Sequence, residues 1–350
     1  MGFENRYHRQ TLLPDIGEPG QARLAKSHAA IVGVGALGTT SAQLLARAGV
    51  GKITLVDRDV VEPTNLQRQS LYTEQHAIEG TPKAVAAERA LREINSEIEI
   101  VAHSADFNHT NAAALLGLGT DAAPDVLIDG TDNLHTRYLL NDLAVREGIA
   151  YCYAGAVATE GMLFTVLPGE SPCLRCLFPD LPDAGSMPTC DTAGVLGPVV
   201  SAVASLQAVE AMKLLIGRSD LLVRTLRSLD PWKGTWREVD LSSARDPACV
   251  CCGERRFEFA DGSREIPGAK LCGRNAVQIM PTEGVGTPDM GAVEAKLRGV
   301  GEVTASRFLL RCELRDEPFE LTLFPDGRAI VGGTQDEARA RAVYAKYVGN

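Results

Sequence analysis

Residues 28–57 read HAAIVGVGALGTTSAQLLARAGVGKITLVD, and this stretch decides the fold. Two short apolar runs flank three glycines, Gly33, Gly35 and Gly38, in G-x-G-x-x-G spacing. The first glycine permits a sharp turn, the second lets a phosphate approach the backbone, and the third lets a helix lie against the strand. The stretch predicts strand, turn, helix and strand, with a bound anion at the start of the helix.

Asp57 ends the second apolar run, about twenty residues after the glycines, where a carboxylate can accept hydrogen bonds from a ribose hydroxyl. The pattern therefore predicts a nucleotide site. It does not distinguish a nicotinamide dinucleotide from ATP, and on this pattern alone a nicotinamide-dependent oxidoreductase is the default expectation.

The composition narrows the class of protein. The chain has 350 residues, 45% of them hydrophobic, and a formal charge of −10, which argues against a general affinity for nucleic acids or acidic membranes. Its polar first residues predict no secretory leader. The apolar segment 197–216 is interrupted by Gln207, Glu210 and Lys213, which favours a buried helix over a membrane span. Nine cysteines, with two C-x-x-C pairs, suit a reducing cytoplasm and a metal site.

Polar and charged residues follow the predicted second strand and precede the next helix. Pro63 is expected to block a helix there, which keeps a polar loop near the carboxyl end of the strand, where open α/β sheets bind ligands. A helix is predicted from about Pro82 to Ile94, with Lys83 in its first turn. A cation is unfavourable at that end of the helix dipole, so an anion is expected between the two.

Acidic residues also follow the predicted buried strand Val126–Ile128. Asp132 is either a cap for a helix starting near His135 or a ligand of magnesium beside a phosphate site. The alternation of strands and helices predicts an α/β fold with a doubly wound, mostly parallel, Rossmann-like sheet. A helix over 137–147, a strand over 150–154 and an alternating segment over 162–167 complete the predicted sheet.

Two C-x-x-C knuckles predict a structural zinc site. The first is Cys173 with Cys176, and for the second we select Cys249 with Cys252 because their spacing fits, although Cys251 lies between them. Four thiolates close a tetrahedral site, which holds shape and leaves no open position for catalysis. Such a site can contribute roughly 10 kcal/mol to folding and would fasten two distant segments together.

Cys190 stands outside both knuckles, at the end of a Pro/Gly/Ser-rich loop over 182–189 that is expected to be mobile. A lone cysteine is commonly inert packing, but one on a flexible loop before a helix can act as a nucleophile. The residues alone leave both interpretations open.

The character of the sequence changes after the second knuckle. We predict two domains, residues 1–255 with the nucleotide site and the knuckles, and residues 265–350 as a small α+β module without a catalytic motif. The predicted elements of this module are strands over 269–280 and 308–312, a hairpin over 321–324 and 329–331 around Pro325-Asp326-Gly327, and a helix over 335–347.

Several motifs occur in one order along the chain: RYHRQ, GVGALG, LVDRD, NLQRQ, PK, GTDN, the paired C-x-x-C and TCDTAGVLGP. In this order they resemble the ThiF/MoeB/HesA family, bacterial relatives of ubiquitin-activating enzymes, over residues 5–255. The stretches CLRCLFPD and TCDTAGVLGPVV look most like ThiF-type proteins of thiamine biosynthesis, and the tail from AKLCGRNAVQI looks like an extension carried by some longer ones.

The resemblance implies an enzyme that adenylates a small ubiquitin-like sulfur-carrier protein. The carrier's C-terminal Gly-Gly carboxylate attacks the α-phosphorus of ATP, which gives an acyl-adenylate and releases pyrophosphate. Because a carboxylate and a triphosphate repel each other, the enzyme must supply cations and hold the two in line. No protein nucleophile is needed for this step.

The resemblance also assigns roles, residue by residue. It implies a homodimer, in which Arg9 reaches the active site of the other subunit, as trans arginines do in phosphoryl transfer. Arg68 and Lys83 match phosphate-binding positions, and Asp132 matches a magnesium-associated carboxylate. The other matches to the nucleotide site are Gly35 at the glycine turn, Asp57 for ribose, Asn65 near the phosphates, and Asn133 beside Asp132.

Cys190 matches a cysteine that is associated, in ThiF-type proteins, with a covalent sulfur linkage to the carrier. In MoeB-type relatives a similar cysteine is dispensable, so a covalent role and a purely structural role for Cys190 both stay open. No rhodanese-like pattern follows residue 255, so a separate sulfur donor is expected. The chain ends Val348-Gly349-Asn350, so the interior Gly332-Gly333 is expected to be a turn rather than a carrier terminus.

Three other functions remain as alternatives. A nicotinamide-dependent oxidoreductase would explain the glycine turn and Asp57 but not Arg68, Lys83 or four zinc thiolates. A relative that activates a tRNA-linked carboxylate is disfavoured by the net acidity and the knuckles, and a non-catalytic carrier-binding scaffold by the retained cations. The identity of the carrier stays open, with thiamine biosynthesis preferred by resemblance alone.

Overall fold

A computed structural model describes residues 6–182, 189–264, 275–279 and 287–349. The chain forms two compact units, Met1–Arg264 and Glu265–Asn350. Most of the loop predicted over 182–189 lies outside the described residues, as does the strand predicted over 269–280 apart from residues 275–279.

The larger unit is built on a sheet that has eight strands among the residues described, in the order β3-β2-β1-β4-β5-β6-β7-β8. The first five in this order are parallel, and the last three continue the sheet antiparallel. The strands are β1 His28–Val32, β2 Lys52–Val56, β3 Glu99–His103, β4 Val126–Asp129, β5 Ala150–Val157, β6 Glu160–Val166, β7 Thr225–Asp230 and β8 Thr235–Asp240.

Helices cover the faces of this sheet, so its central strands are buried on both sides. Two short 3₁₀ turns, Pro63–Asn65 and Ser219–Leu221, lie between them. The helices are α1 His8–Thr11, α2 Gly17–Leu24, α3 Ala36–Ala48, α4 Glu74–Glu79, α5 Lys83–Ile94, α6 Ala112–Leu116, α7 Leu134–Glu147, α8 Leu174–Leu177, α9 Cys190–Ala193 and α10 Gly197–Leu215.

Residues 28–57 form the predicted strand, turn, helix and strand as β1, α3 and β2. β1 is the centre of the parallel part, with β2 and β3 on one side and β4 and β5 on the other. The strand order reverses between β1 and β4, and open α/β sheets bind ligands at the carboxyl ends of their strands at such a point. The predicted α/β fold with a mostly parallel central sheet is confirmed.

Two local expectations are wrong, and a third is confirmed with one addition. Residues 57–73, all of which the structure describes, contain no α-helix, as Pro63 predicts, although Pro63 begins the 3₁₀ turn Pro63–Asn65, where a missing N–H costs nothing. The sheet does not end at β6, since β7 and β8 extend it. α7 begins at Leu134 rather than at residue 137, because Asn133 caps it: the Asn133 side chain accepts hydrogen bonds from the N–H groups of the first turn.

α10 is, by length and composition alone, apolar enough to cross a membrane, and half of the relevant window is buried in the protein. Its contacts are those of a core helix. Gln207 is 1% exposed and donates hydrogen bonds to the carbonyl oxygens of Asp129 and Cys152 at 2.9 and 2.8 Å. Glu210 is also 1% exposed and accepts from the Val223 N–H at 3.0 Å. Gln207 therefore binds α10 to the sheet, and Glu210 binds it to the segment just before β7.

The smaller unit contains, in its described part, an antiparallel sheet in the order β10-β11-β12-β13-β9 with two helices. β12 and β13 pair as a hairpin around the predicted turn, where Gly327 has a φ of +86°. Its core is apolar, with Leu297, Leu321 and Val331 fully buried. The elements are β9 Ala276–Ile279, α11 Met290–Arg298, β10 Gly301–Ala305, β11 Leu310–Leu314, β12 Glu320–Leu323, β13 Ala329–Gly332 and α12 Glu337–Tyr347.

Candidate functional site

The glycine turn after β1 joins strand, helix and neighbouring loop at very short range. A Cβ on Gly33 would lie 2.6 Å from the carbonyl carbon of Gly130, and a Cβ on Gly38 would lie 2.0 Å from the carbonyl oxygen of Gly33. Gly33 also has a φ of +84°, which favours glycine. At Gly35 the nearest atom to such a Cβ is 3.9 Å away. Gly33 and Gly38 therefore serve close packing, whereas Gly35 keeps the backbone open to a ligand.

Asp57 directly follows β2 and is fixed to the glycine turn. Its Oδ2 accepts a hydrogen bond from the Val34 N–H at 2.7 Å, and its Oδ1 accepts one from the Asp59 N–H at 2.7 Å. Burial raises the pKa of Asp57, and the positive charge of Lys83 opposes that rise. The carboxylate thus stands beside the turn, where a ribose hydroxyl would be recognised.

Lys83 is the first residue of α5 and is only 4% exposed. Its Nζ lies 2.9 Å from Oδ2 of Asp59. Burial alone would lower the pKa of Lys83, but the charges of Asp59 and Asp57 outweigh it, and the pKa is raised. Asp59 is therefore a negatively charged partner of Lys83 at the start of α5.

The loop after β4 carries the other acidic candidate. Asp132 is exposed, and it does not cap α7, because Asn133 accepts the N–H of His135 at 2.9 Å instead. Asp132 acts electrostatically on both Lys83 and Arg137. Since β4 lies next to β1 in the sheet, this carboxylate belongs to the same carboxyl edge as the glycine turn.

A buried ion pair under this loop escaped the sequence analysis. Asp129 is fully buried, and its Oδ2 accepts from the Tyr151 hydroxyl at 2.7 Å and lies 3.4 Å from Nε of Arg137. Arg137 also donates to the carbonyl oxygens of Thr131 and Ala154 at 2.6 and 3.2 Å. Burial raises the pKa of Asp129, against the effect of Arg137. The network fixes the backbone that presents Asp132.

Asn65 and Arg68 lie at the 3₁₀ turn after β2. Asn65 is 1% exposed, and its Oδ1 accepts the Glu62 N–H at 3.1 Å, so the side chain shapes the turn itself. Arg68 is half-buried and donates to the carbonyl oxygen of Thr64 at 2.8 Å. The start of α10 packs here, since a Cβ on Gly197 would lie 3.5 Å from the Arg68 Cβ.

Arg9 is exposed in α1, and its neighbours contact the far end of α3. Gln10 donates to the carbonyl oxygen of Ala48 at 2.9 Å, and the Tyr7 ring adjoins Gly49. The glycine turn is at the opposite end of α3, about 20 Å away for a helix of this length. The segment that carries Arg9 is therefore anchored away from the glycine turn of its own chain.

Cys190 begins α9 and is half-buried, with its Sγ 3.3 Å from the carbonyl oxygen of Ala156. Thr189 caps this short helix by accepting the Thr192 N–H. Ala156 lies near the carboxyl end of β5. The thiol therefore belongs to the carboxyl edge of the parallel sheet, the edge that also carries the glycine turn.

The four cysteines selected from the knuckles come together, as predicted. Their sulfur atoms all lie within 4.8 Å of one another. The pairs Cys173–Cys249, Cys173–Cys176 and Cys176–Cys252 are separated by 3.6, 3.9 and 3.4 Å. Thiolates 2.3 Å from a tetrahedral zinc are about 3.8 Å apart, so the cluster could hold zinc.

Cys251 is absent from the cluster for a visible reason. It is fully buried and receives a hydrogen bond from the Asn141 Nδ2 at 3.3 Å. The Oδ1 of Asn141 accepts the Leu174 N–H at 2.8 Å. One side chain of α7 thus joins the two knuckles, a link that no sequence signal indicated.

Comparisons with known proteins point to one family. The ThiF family model matches residues 7–251. The chain is 44% identical over 345 residues to the sulfur carrier protein ThiS adenylyltransferase of Bacillus subtilis. That alignment covers 98% of this chain and 99% of that protein. It is 38% identical over 250 residues to the SAMP-activating enzyme E1 of Haloferax volcanii, across 71% of this chain and 89% of that protein.

Among solved structures, E. coli MccB with ATP superimposes with a TM-score of 0.59 and 24% identity. The match covers 71% of this chain and 74% of that one. At this identity the likeness shows a shared fold.

Proposed function

This chain belongs to the ThiF family, and from that premise we propose that it is an ATP-dependent adenylyltransferase acting on the C-terminal Gly-Gly carboxylate of a ubiquitin-like sulfur-carrier protein. One observation carries the proposal. A nearly buried lysine, Lys83, stands beside the Asp57 carboxylate that is hydrogen-bonded to the glycine turn. A cation held there serves a triphosphate, whereas hydride transfer gives it no role.

The reaction follows from the charges. A carboxylate oxygen of the carrier bonds to the α-phosphorus of ATP while the bond to the bridging oxygen of pyrophosphate breaks, and that oxygen keeps the electron pair. Lys83 and Arg68 offset the negative charge that keeps the two anions apart. The open backbone at Gly35 and the carboxylate of Asp57 orient the nucleotide.

Two metal ions belong to this proposal. Asp132, exposed beside the proposed phosphate site, would hold magnesium through its oxygens, a hard ligand that this ion prefers. Cys173, Cys176, Cys249 and Cys252 would hold zinc, which supplies shape rather than chemistry.

We also propose the carrier, the sulfur donor and the cellular setting of the enzyme. The 44% identity to a ThiS adenylyltransferase supports a carrier of thiamine biosynthesis. A cytoplasmic setting is proposed from the cysteine content with its two C-x-x-C pairs, and a separate sulfur donor from the family resemblance alone. A covalent role for Cys190 is compatible with its half-buried place at the edge of the sheet. Residues 1–255 are proposed as the adenylation domain and residues 265–350 as a small α+β module.

ATP–pyrophosphate exchange tests the function. With a ThiS-type carrier ending in Gly-Gly, we expect exchange to rise at least about 100-fold above the rate without carrier, because adenylation is reversible and needs the carrier carboxylate. A carrier that lacks the final glycine serves as the control. Exchange that ignores the carrier, or a bound nicotinamide absorbance, would contradict the proposal.

Mixed dimers test the proposed role of Arg9. If Arg9 acts on the partner subunit, Arg9→Ala and Arg68→Ala are each nearly inactive, yet mixing them restores about a quarter of the activity. Half of the dimers are then mixed, and each mixed dimer has one intact site out of two. Without subunit exchange, or if Arg9 acts within its own chain, no activity returns; labelled subunits measured by native mass spectrometry separate these two cases.

A further inference from the structure

We propose that Asp59 is a positioning residue that holds the Lys83 ammonium in place for the triphosphate. In this proposal Arg58 and Asp106 form a second ion pair that stabilises Asp59. The inference rests on the proposed function and deepens it. It concerns a residue outside the sequence-predicted site, two positions after Asp57.

Asp59 holds the first residue of α5 at two points. Its Oδ2 lies 2.9 Å from Nζ of Lys83, and its carbonyl oxygen accepts the Lys83 N–H at 2.8 Å. The side chains of Lys83 and Asp59 are 6% and 27% exposed. The loop after β2 therefore fixes both the backbone and the charged end of Lys83.

A second ion pair supports Asp59 from the other side. Nη1 of Arg58 lies 2.8 Å from Oδ1 of Asp106, and Nε of Arg58 lies 3.9 Å from Oδ1 of Asp59. Charges alternate along the series Lys83, Asp59, Arg58 and Asp106. Because the positive charge of Arg58 partly neutralises Asp59, that carboxylate repels an approaching triphosphate less than an isolated carboxylate would.

The Lys83 ammonium has more N–H donors than its contact with Asp59 uses. An ammonium has three N–H donors, and within the part of the chain that the structure describes its side chain makes one hydrogen bond, to Asp59. A buried cation with two further donors is stable only beside negative charge, which Asp59 supplies without consuming those donors. Those two donors are the ones that we assign to the triphosphate.

A double-mutant cycle tests the inference. Asp59→Asn, which preserves shape, is expected to lower kcat/KM for exchange about 10- to 100-fold, because a charge-assisted hydrogen bond is lost. In a Lys83→Met background the same change should cost less than about threefold, since Asp59 then has nothing to position. Glu99→Gln is the control, because it removes an equal charge from an exposed pair with Lys52.

The pH dependence of ATP affinity gives a second readout. The groups that act on Lys83 are Asp57 and Asp59 after β2 and Asp132 after β4. Burial lowers the pKa of Lys83, and loss of Asp59 removes the largest charge that opposes this effect, so only Asp57 and Asp132 are left to oppose it and the pKa falls. The ammonium binds phosphate below its pKa and fails above it, so the alkaline loss of affinity moves to lower pH in Asp59→Asn and stays in place in Glu99→Gln.

The proposal is overturned if Asp59→Asn lowers kcat/KM equally in the wild-type and Lys83→Met backgrounds. It is also overturned if Asp59→Asn leaves the alkaline loss of ATP affinity at the same pH. If Asp59→Asn does not fold, Asp106→Asn is used instead, because Asp106 is the last charge of the same series. Its loss of kcat/KM must also depend on Lys83, although the loss is smaller. ATP affinity is measured without carrier. A wild type that binds ATP but shows no carrier-dependent exchange would therefore overturn the proposed function and leave this inference testable.

Discussion

Cys173→Ser is expected to abolish zinc binding and to lower the midpoint of thermal unfolding by at least about 10 °C. A structural zinc contributes about 10 kcal/mol or more, which is comparable to the whole stability of a domain. Cys173 is 1% exposed, and its sulfur lies 3.6 Å from that of Cys249 on the distant second knuckle. Without the metal these two segments lose the sulfur–metal bonds between them and keep the weaker link through Asn141.

Zinc content by mass spectrometry and calorimetric unfolding measure the two effects. Cys251→Ala is the matched control: Cys251 lies beside the ligands but bonds to Asn141, so this variant should keep one zinc per chain. A Cys173→Ser protein with full zinc would show that the ligand set is wrong. A zinc-free one with an unchanged midpoint would show that the cluster is not structural.

Most of the parallel sheet could be predicted because its signals are local. The glycine turn and the apolar strands around it specify β1, α3 and β2 by their own chemistry. β7 and β8 could not be predicted in this way. All six residues of β8 are exposed, so its sequence, TWREVD, lacks the alternation that marks a half-buried strand.

The residues of the candidate site also differ in whether a local sequence signal marks them. Asp57 and Lys83 were recognisable because they stand at fixed places relative to a turn and a helix start. Asp129 and Arg137 were not, since their importance comes from pairing across the fold at 3.4 Å. Asp59 had one usable signal: in an extended segment it points to the same side as Asp57, two residues earlier.

Lys83→Met is expected to lower carrier-dependent exchange about 100- to 1,000-fold while the protein stays folded. The ammonium stands 2.9 Å from Asp59, and its other N–H donors are the ones proposed to bind a phosphate. Methionine fills a similar volume at a position that is 4% exposed, so packing is kept. Asp59, left without its lysine, still has Arg58 nearby and partial contact with water.

Lys52→Met is the control for this loss of charge. Lys52 begins β2, is 30% exposed and pairs with Glu99 at 3.2 Å, outside the carboxyl edge of the sheet. It should keep exchange within about twofold of the wild type, because exposed pairs contribute little. If Lys83→Met and Lys52→Met lost equal activity, net charge rather than a placed cation would explain both. If neither lost any, a buried lysine at the helix start would have no part in the chemistry, and the triphosphate would have to be neutralised elsewhere.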